Sequence, residues 1–360
     1  MRLLFLLALA GSVAAQTGTL VGTVLDEEGD PLSGATVYLS GTTRGDATDA
    51  DGRYEIADVP PGVYRLVASM VGFEPIVEEV ALEDRTRVAT DFLLYTARRT
   101  VGFIRVEAPR DRRWMRHRAR FEEAFLGESA RADSVEVLNP EVLEFQERMG
   151  VLQAVAAKPL VIENRALGYR LTYDLRAFAQ SAEEVRYDGD VRFEEMAPPS
   201  ARDSVRWRQA RLAAYRGSLQ HLLRSLVEDD LEGSGFLLTL DESRREIEDT
   251  MDMRPSARPA RRRDIYRPDR AGGGRLGFRG RLVVRFPELE DPAFVTSALV
   301  RGDRRQPGGE QRSVLELRAD AVRLDERGTP ASPLDVYTRG YLGFERLADL
   351  VPDDYEPDRP

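Results

Sequence analysis

The feature that most constrains this chain is a stretch near its start where apolar residues alternate and turn residues recur at short intervals. After Thr19, Leu20, Gly22 and Val24 fall on one side of an extended chain. A turn over Asp26-Glu27-Glu28-Gly29-Asp30-Pro31 follows, then Ala35, Val37 and Leu39. A second turn at Asp49-Ala50-Asp51-Gly52 leads into Arg53–Ile56, and Pro60-Pro61-Gly62 leads into Tyr64, Leu66 and Ala68. Further strands are expected over Ile76–Leu82 and Val88–Leu94. Period-two alternation punctuated by Gly, Pro and Asp marks half-buried strands. About seven such strands in a segment of this length predict an antiparallel β-sandwich able to fold alone.

The runs GTVLDEEGDPLSGATVYLSGT and TDADGRYEIADVPPGVYRLVASMVGFEP resemble the carboxypeptidase-regulatory-like family over residues 18–95. That resemblance implies a transthyretin-like or carbohydrate-binding-like sandwich. In the family it is an accessory module behind metallocarboxypeptidase domains and ahead of TonB-dependent receptor plugs, without catalytic residues of its own. Asp46, Asp49 and Asp51 have the short alternating spacing of a calcium loop. The twelve-residue loop pattern is missing, however, and Asp-x-Asp-Gly is good hairpin chemistry, so the turn reading is preferred.

The start reads as an export signal. Met1-Arg2, the apolar run Leu3–Ala10 and the small residues Gly11–Ala15 supply a charged region, a short hydrophobic region and a cleavage site before Gln16. The apolar run is far below the roughly 20 residues of a membrane-spanning helix, and no other segment comes close. With no cysteine, disulfides, thiolate ligands and a lipidated cysteine are all excluded. The expectation is a periplasmic, outer-membrane-associated or extracellular protein that is not a lipoprotein. Its expected organisation is a signal peptide over 1–15, the sandwich over 16–97 and an α+β domain over 98–357, an α+β multidomain chain as a whole.

In the second region, Trp114, Phe121 and Phe125 recur at helical spacing from Arg112, with Gly127 near the end. Asn139-Pro140-Glu141 has the polar cap, proline and acid of a helix start, with Val142, Leu143 and Phe145 as its apolar face. Leu160–Glu163 and Tyr169–Leu175 read as a hairpin, with a further strand at Val191 and Phe193. Ser200–Glu232 carries the longest helical stripe, which Gly217-Ser218 is expected to split. Strands resume near residues 235–240, 281–286 and 314–324. No internal repeat is evident. The stretch 252–277, with Arg254–Arg263 and Ala271–Gly274, is too polar for a core and is expected to be a mobile loop. The runs FEEAFLGES, NPEVLEF, PLVIENRALGYRLTYDL, AYRGSLQHLLRSL and GYLGFERLADLVPDDYEP look like a Gram-negative envelope protein type that carries the same front domain. That likeness implies architecture and location and brings no activity.

Catalytic motifs are sparse. A zinc carboxypeptidase needs a His-x-x-Glu pair and a later histidine, yet the histidines are only His117 and His221, in neither such context. Gly-x-Ser-x-Gly is absent, Gly233-Ser234-Gly235 reading as a turn, and Gly272-Gly273-Gly274-Arg275 lacks the end of a phosphate loop. A glycosidase needs only two carboxylates, so Glu163 beside Asn164, and Glu194-Glu195, stay open beside their reading as a turn and a solvated edge. No cofactor or metal is expected. A non-catalytic structural or protein-interaction role is preferred, with carbohydrate binding through Tyr54, Tyr64 or Phe73 as the alternative and an envelope hydrolase as the second.

Charge points to partners. The net charge of −10 argues against general nucleic-acid binding. Residues 17–100 hold seven arginines against fifteen acids, net −8, while residues 252–281 hold ten against three, net +7, so the two segments are expected to attract. Arg258, Arg261, Arg262, Arg263 and Arg267 form the candidate anion or partner surface, because guanidinium forks bind phosphates such as those of lipopolysaccharide. The plainer reading is a solvated or charge-neutralising loop. The expected partner is an envelope protein, such as an outer-membrane β-barrel, or a glycan.

Overall fold

In the computed structural model the described residues are 17–83, 85–97, 111–182, 184–242, 257–269, 272–289, 291–296 and 310–357. The expected signal peptide lies outside them, as do residues 252–256 and 270–271 of the expected loop.

The alternating stretch forms β1 (Gly18–Leu25), β2 (Thr36–Leu39), β3 (Gly45–Ala47), β4 (Arg53–Val59), β5 (Gly62–Ser69), β6 (Ile76–Leu82), β7 (Arg87–Ala89) and β8 (Phe92–Leu93). They make two sheets, β3-β2-β5-β6 and β4-β1-β7 with β8 also on β1. The sandwich is not wholly antiparallel: β7 and β8 run parallel to β1, because the chain returns after β6 alongside the strand it started from. On β4, Tyr54, Ile56 and Val59 point inward while Arg53 and Glu55 face out. They join Leu20, Val37, Leu66 and Phe92 in one apolar cluster.

The remainder has two cores where the sequence suggested one region. The first is built by α1 (Arg112–Leu126), β9 (Val135–Val137), β10 (Leu143–Arg148), β11 (Val151–Ala156), β12 (Leu160–Asn164), β13 (Tyr169–Gln180), β14 (Val185–Glu195) and α2 (Ala201–Tyr215). The sheet order is β10-β11-β13-β12-β9, with β14 on β13. Asp111 starts α1 by accepting from the Arg113 and Trp114 amides, satisfying two of the donors a helix start leaves open. Phe121 and Phe125 stack 4.9 Å apart beneath the sheet, against Phe178 and Tyr173. The helix expected at Asn139 is a single 3-10 turn followed by β10. Asn139 does not cap it. Its amide instead donates to the Pro159 carbonyl and accepts from the Val161 amide, and a cross-strand tie favours extension.

The second core, with a small cluster of Phe294, Tyr341 and Phe344 beside it, is built by α3 (Leu219–Glu228), β15 (Leu237–Asp241), β16 (Arg258–Pro259), α4 (Arg262–Ile265), β17 (Tyr266–Pro268), β18 (Gly274–Leu276), β19 (Arg281–Leu289), α5 (Pro292–Thr296), β20 (Glu310–Leu317), β21 (Val322–Leu324), β22 (Val336–Gly340) and α6 (Tyr341–Phe344). Two sheets, β16-β15-β19-β20-β22 and β17-β18-β21, share one apolar cluster with α3. The expected break between α2 and α3 falls at Gly217, whose φ of +79° and contact with Phe286 leave no room for a side chain. The expected mobile loop does not hold over 257–269 and 272–277. Those residues form β16, α4, β17 and β18, anchored by Ile265, Tyr266 and Leu276, all 1% exposed or less.

The structure also reveals a repeat that the sequence reading missed. Leu25-Asp-Glu-x-Gly-x-Pro31 with Val37-Tyr38 returns as Leu324-Asp-Glu-x-Gly-x-Pro330 with Val336-Tyr337. Both copies fold alike. Asp26 and Asp325 each accept two backbone amides within their turn, Gly29 and Gly328 have φ of +88° and +83°, and bridges join Leu25 to Pro31 and Leu324 to Pro330.

Candidate functional site

The site with the most elaborate chemistry lies where the sandwich meets the β13–β14 hairpin. Tyr169, Leu171, Tyr173 and Leu175 point into the first core, so alternation turns Asp174 and Arg176 to the opposite face. On β14 the same rule turns out Asp188 and Asp190, and Asp174 sits directly opposite Asp190. Two facing carboxylates repel, and the sandwich supplies what offsets this. Tyr38 donates from its hydroxyl to Asp174 at 2.6 Å, and Ser40 donates to Asp190 at 2.6 Å. Arg65 reaches Asp190 at 3.1 Å. Arg176 forks onto Asp188 with two 2.9 Å bonds and also pairs with Asp190. Burial, then the neighbouring Asp190 carboxylate, push Asp174 above the usual carboxylate range. Tyr38 is likewise raised, by burial and then by Asp174.

Backbone bonds complete the joint. The Gly41 amide donates to the Val191 carbonyl at 2.7 Å, and the Phe193 amide to the Thr42 carbonyl at 3.0 Å, so the turn after β2 lies along the free edge of β14. The C-terminal segment closes over it: the Asp353 amide donates to the Gly41 carbonyl at 2.7 Å, and Asp354 accepts from Thr43. A Cβ on Gly41 would lie 2.3 Å from the Asp353 carboxylate, and its φ is +81°. Arg224 fixes the segment by donating to the Tyr355 and Asp353 carbonyls at 2.7 and 2.6 Å. From the second repeat turn, Arg327 lies 4.0 Å over the Tyr64 ring. Beside the joint, an open cleft of about 560 Å³ separates Arg65 and Val77 from Arg176, Asp188 and residues 331–335.

Burial, and then the Asp325 carboxylate, push Asp353 from 3.8 up to about 7 against the pull of Arg327 and Arg224. A carboxyl raised in the fold gives stability that is complete below its unfolded value and is lost as pH rises through its folded value. Asp353→Asn is therefore expected to shrink the fall in stability between about pH 4 and pH 7. The variant should exceed the parent above that range. Urea midpoints across it check this, and an unchanged slope contradicts it.

The residues singled out in the sequence fall elsewhere. Arg258 pairs with Glu242 at 3.5 Å and Asp264 at 3.4 Å. Arg262 donates to the Leu226 and Val227 carbonyls at the end of α3, so it closes a helix. Arg267 folds back on the Arg263 and Tyr266 carbonyls, while Arg261 and Arg263 are exposed on and beside α4. The described part of this basic segment thus pairs within its own unit and not with the acidic sandwich, correcting the expected attraction. His221 lies among Tyr215, Phe236 and Phe286. Burial, with Arg216 and Arg224 nearby, lowers it to about 4. Glu163 is held below the usual range by hydrogen bonds from Arg170 and then Arg165, and Asn164 ties its turn to Ala348. Glu194 and Glu195 pair with Arg192 and Arg211. Asp49 accepts from the Asp51 and Arg53 amides, and Asp46 from Ala47 and Glu55, as hairpin chemistry requires. Tyr54 and Tyr64 are 3% and 4% exposed, and Phe73 packs on the same core, so the two tyrosines offer no face to a sugar. Sequence reasoning missed Tyr38, Ser40, Asp174 and Asp190. The available signal was a pair of aspartates inside strands, where Asp is depleted.

The N-terminal unit is a β-sandwich. Its residues 19–95 match the family model of the carboxypeptidase regulatory-like domain. A TonB-dependent receptor of Formosa agariphila is 41% identical over 66 residues, which are 18% of this chain and 6% of that receptor. Among solved structures, a cohesin–X-dockerin complex from Acetivibrio cellulolyticus is 22% identical, with 22% of this chain and 58% of that one covered and a TM-score of 0.20. The minor pilin of Streptococcus agalactiae is 19% identical, covering 26% and 49%, with a TM-score of 0.20. Catechol 1,2-dioxygenase from Pseudomonas arvilla is 18% identical, covering 28% and 59%, with a TM-score of 0.21. The chain spans less than two thirds of each of these proteins. Among the described residues, no helix is long and apolar enough to cross a membrane.

Proposed function

We propose that this chain is an exported, non-catalytic envelope protein with an interaction role, in which a transthyretin-like sandwich is fixed to a two-core α+β body and the assembly presents one rigid surface to an envelope partner. One observation carries the non-catalytic reading. Asp174 and Asp190 are the facing carboxylates that acid–base chemistry needs, and both are engaged by Tyr38, Ser40, Arg65 and Arg176 in holding the sandwich. The export-type start and the accessory nature of the matched domain support the envelope location. An outer-membrane β-barrel is the partner this reading favours; part of the sandwich is similar to a TonB-dependent receptor. Cross-linking of a tagged copy in cells, followed by mass spectrometry of the envelope fraction, tests the role. Reproducible recovery of one envelope protein supports it. Recovery of the chain alone, with turnover of envelope glycan or peptide, contradicts it.

A further inference from the structure

The three-stranded sheet of the second core carries an arginine on each strand, all on one face and in one row. Tyr266, Leu276 and Val322 point inward and are buried. Between the inward positions, Arg267 pairs directly with Arg275, and Arg275 with Arg323, and all three are exposed. Neighbouring strands lie about 4.8 Å apart, so the guanidinium stems stand side by side. Like charges directly opposite destabilise a sheet, and the central one is left unrelieved: among the described residues the Arg275 side chain makes no ion pair or hydrogen bond. Bordering carboxylates include Glu79, 3.9 Å from Arg323, Asp269 in the turn beyond β17 and Glu326 beside Gly272. Arg261 and Arg263 extend the exposed positive surface from the neighbouring α4.

We infer that this row is a docking face for the phosphates of an anionic lipid surface. Guanidinium forks match phosphate oxygens bidentately. The face is an open sheet, and neither the cleft beside the joint nor the one around Tyr169 and Arg211 includes these arginines, so a lone small anion gains little against water. A planar array of phosphates engages the whole row at once. Each arginine near such a surface contributes a modest, salt-sensitive increment. The chain as a whole is net −10, which opposes contact through its acidic faces. This goes beyond the proposed protein-interaction role, and it can fail in vitro while a protein partner is still recovered from cells.

Sedimentation of the full chain with vesicles of phosphatidylcholine and phosphatidylglycerol in equal parts tests it, with pure phosphatidylcholine vesicles alongside. Binding is expected only to the mixed vesicles and should fall as salt rises. Arg275→Gln should weaken it about fivefold, and Arg267→Gln/Arg275→Gln/Arg323→Gln should abolish it. Arg275→Gln should keep the parent's thermal midpoint or raise it, because repulsion is removed. Arg206→Gln, at an exposed arginine paired with Asp203 on α2, should bind as the parent does. Equal binding to both vesicle types, or full binding by the triple variant, overturns the inference. So does stoichiometric binding of inorganic phosphate without vesicle binding.

Discussion

Asp190→Ala is expected to destabilise the chain by about 3 kcal/mol, the lower end of the cost of removing one partner from a buried ionic network. Asp190 is 1% exposed and receives Ser40, Arg65 and Arg176. Two considerations hold the effect at that lower end. The side chains of Arg65 and Arg176 are 37% and 36% exposed, so both rehydrate in part. Removing Asp190 also relieves its repulsion of Asp174 across the strands. Asp188→Ala is the control. It breaks the half-exposed fork to Arg176 and should cost below about 1 kcal/mol, as exposed pairs do. Urea unfolding of the two variants beside the parent separates a buried socket from a surface pair. Equal, small losses contradict the socket.

Tyr54→Ala should cost about 3–5 kcal/mol, the usual loss on emptying an aromatic site in a core. The ring lies 6.3 Å from that of Phe92, and its hydroxyl donates to the Thr90 carbonyl at 2.7 Å, so a cavity and an unpartnered carbonyl are both left behind. Against a typical domain stability of about 5–15 kcal/mol, this places the sandwich near unfolding. The measurement also decides between core and sugar contact. Circular dichroism and thermal melting should report the loss. A variant that melts like the parent yet loses affinity for a glycan contradicts the packing described here.

The sandwich was legible because its strands alternate strictly and its turns use residues with one main conformational use, as at Gly52 with its φ of +72°. The same clarity located α1, whose aromatic stripe has no alternative register. Misreadings arose where one signal serves two structures. Asn139-Pro140-Glu141 opens a helix or ties a turn, and only the carbonyl of Pro159 across the sheet decides. The arginine-rich stretch reads as too polar to pack because its apolar anchors are few, the pair Ile265-Tyr266 and, ten residues on, Leu276. They are buried by strands distant in sequence, as β21 shows against β18.

The candidate site was legible only in part. Arg267 stands in a run, but across the sheet it faces Arg275, which in turn faces Arg323, and register across three strands cannot be read from a single run. The docking socket is hidden for a similar reason: alternation marks the inward positions of β13, and the outward Asp174 acquires meaning only once Asp190 stands opposite it. The repeat escaped because its two copies keep only the turn and a Val-Tyr pair. In the first copy that turn is exposed, whereas in the second it carries Arg327 onto the Tyr64 ring.

The central claim is that the sandwich is joined to the body through backbone as well as side chains, and amide hydrogen exchange at three positions tests it most directly. Gly41, Phe193 and Asp353 donate across the joint. Their amides should be protected to the same degree as those inside the β13–β14 ladder. Exchange at the rate of open turns, with the ladder still protected, would contradict the joint and return the sandwich to an independently moving module.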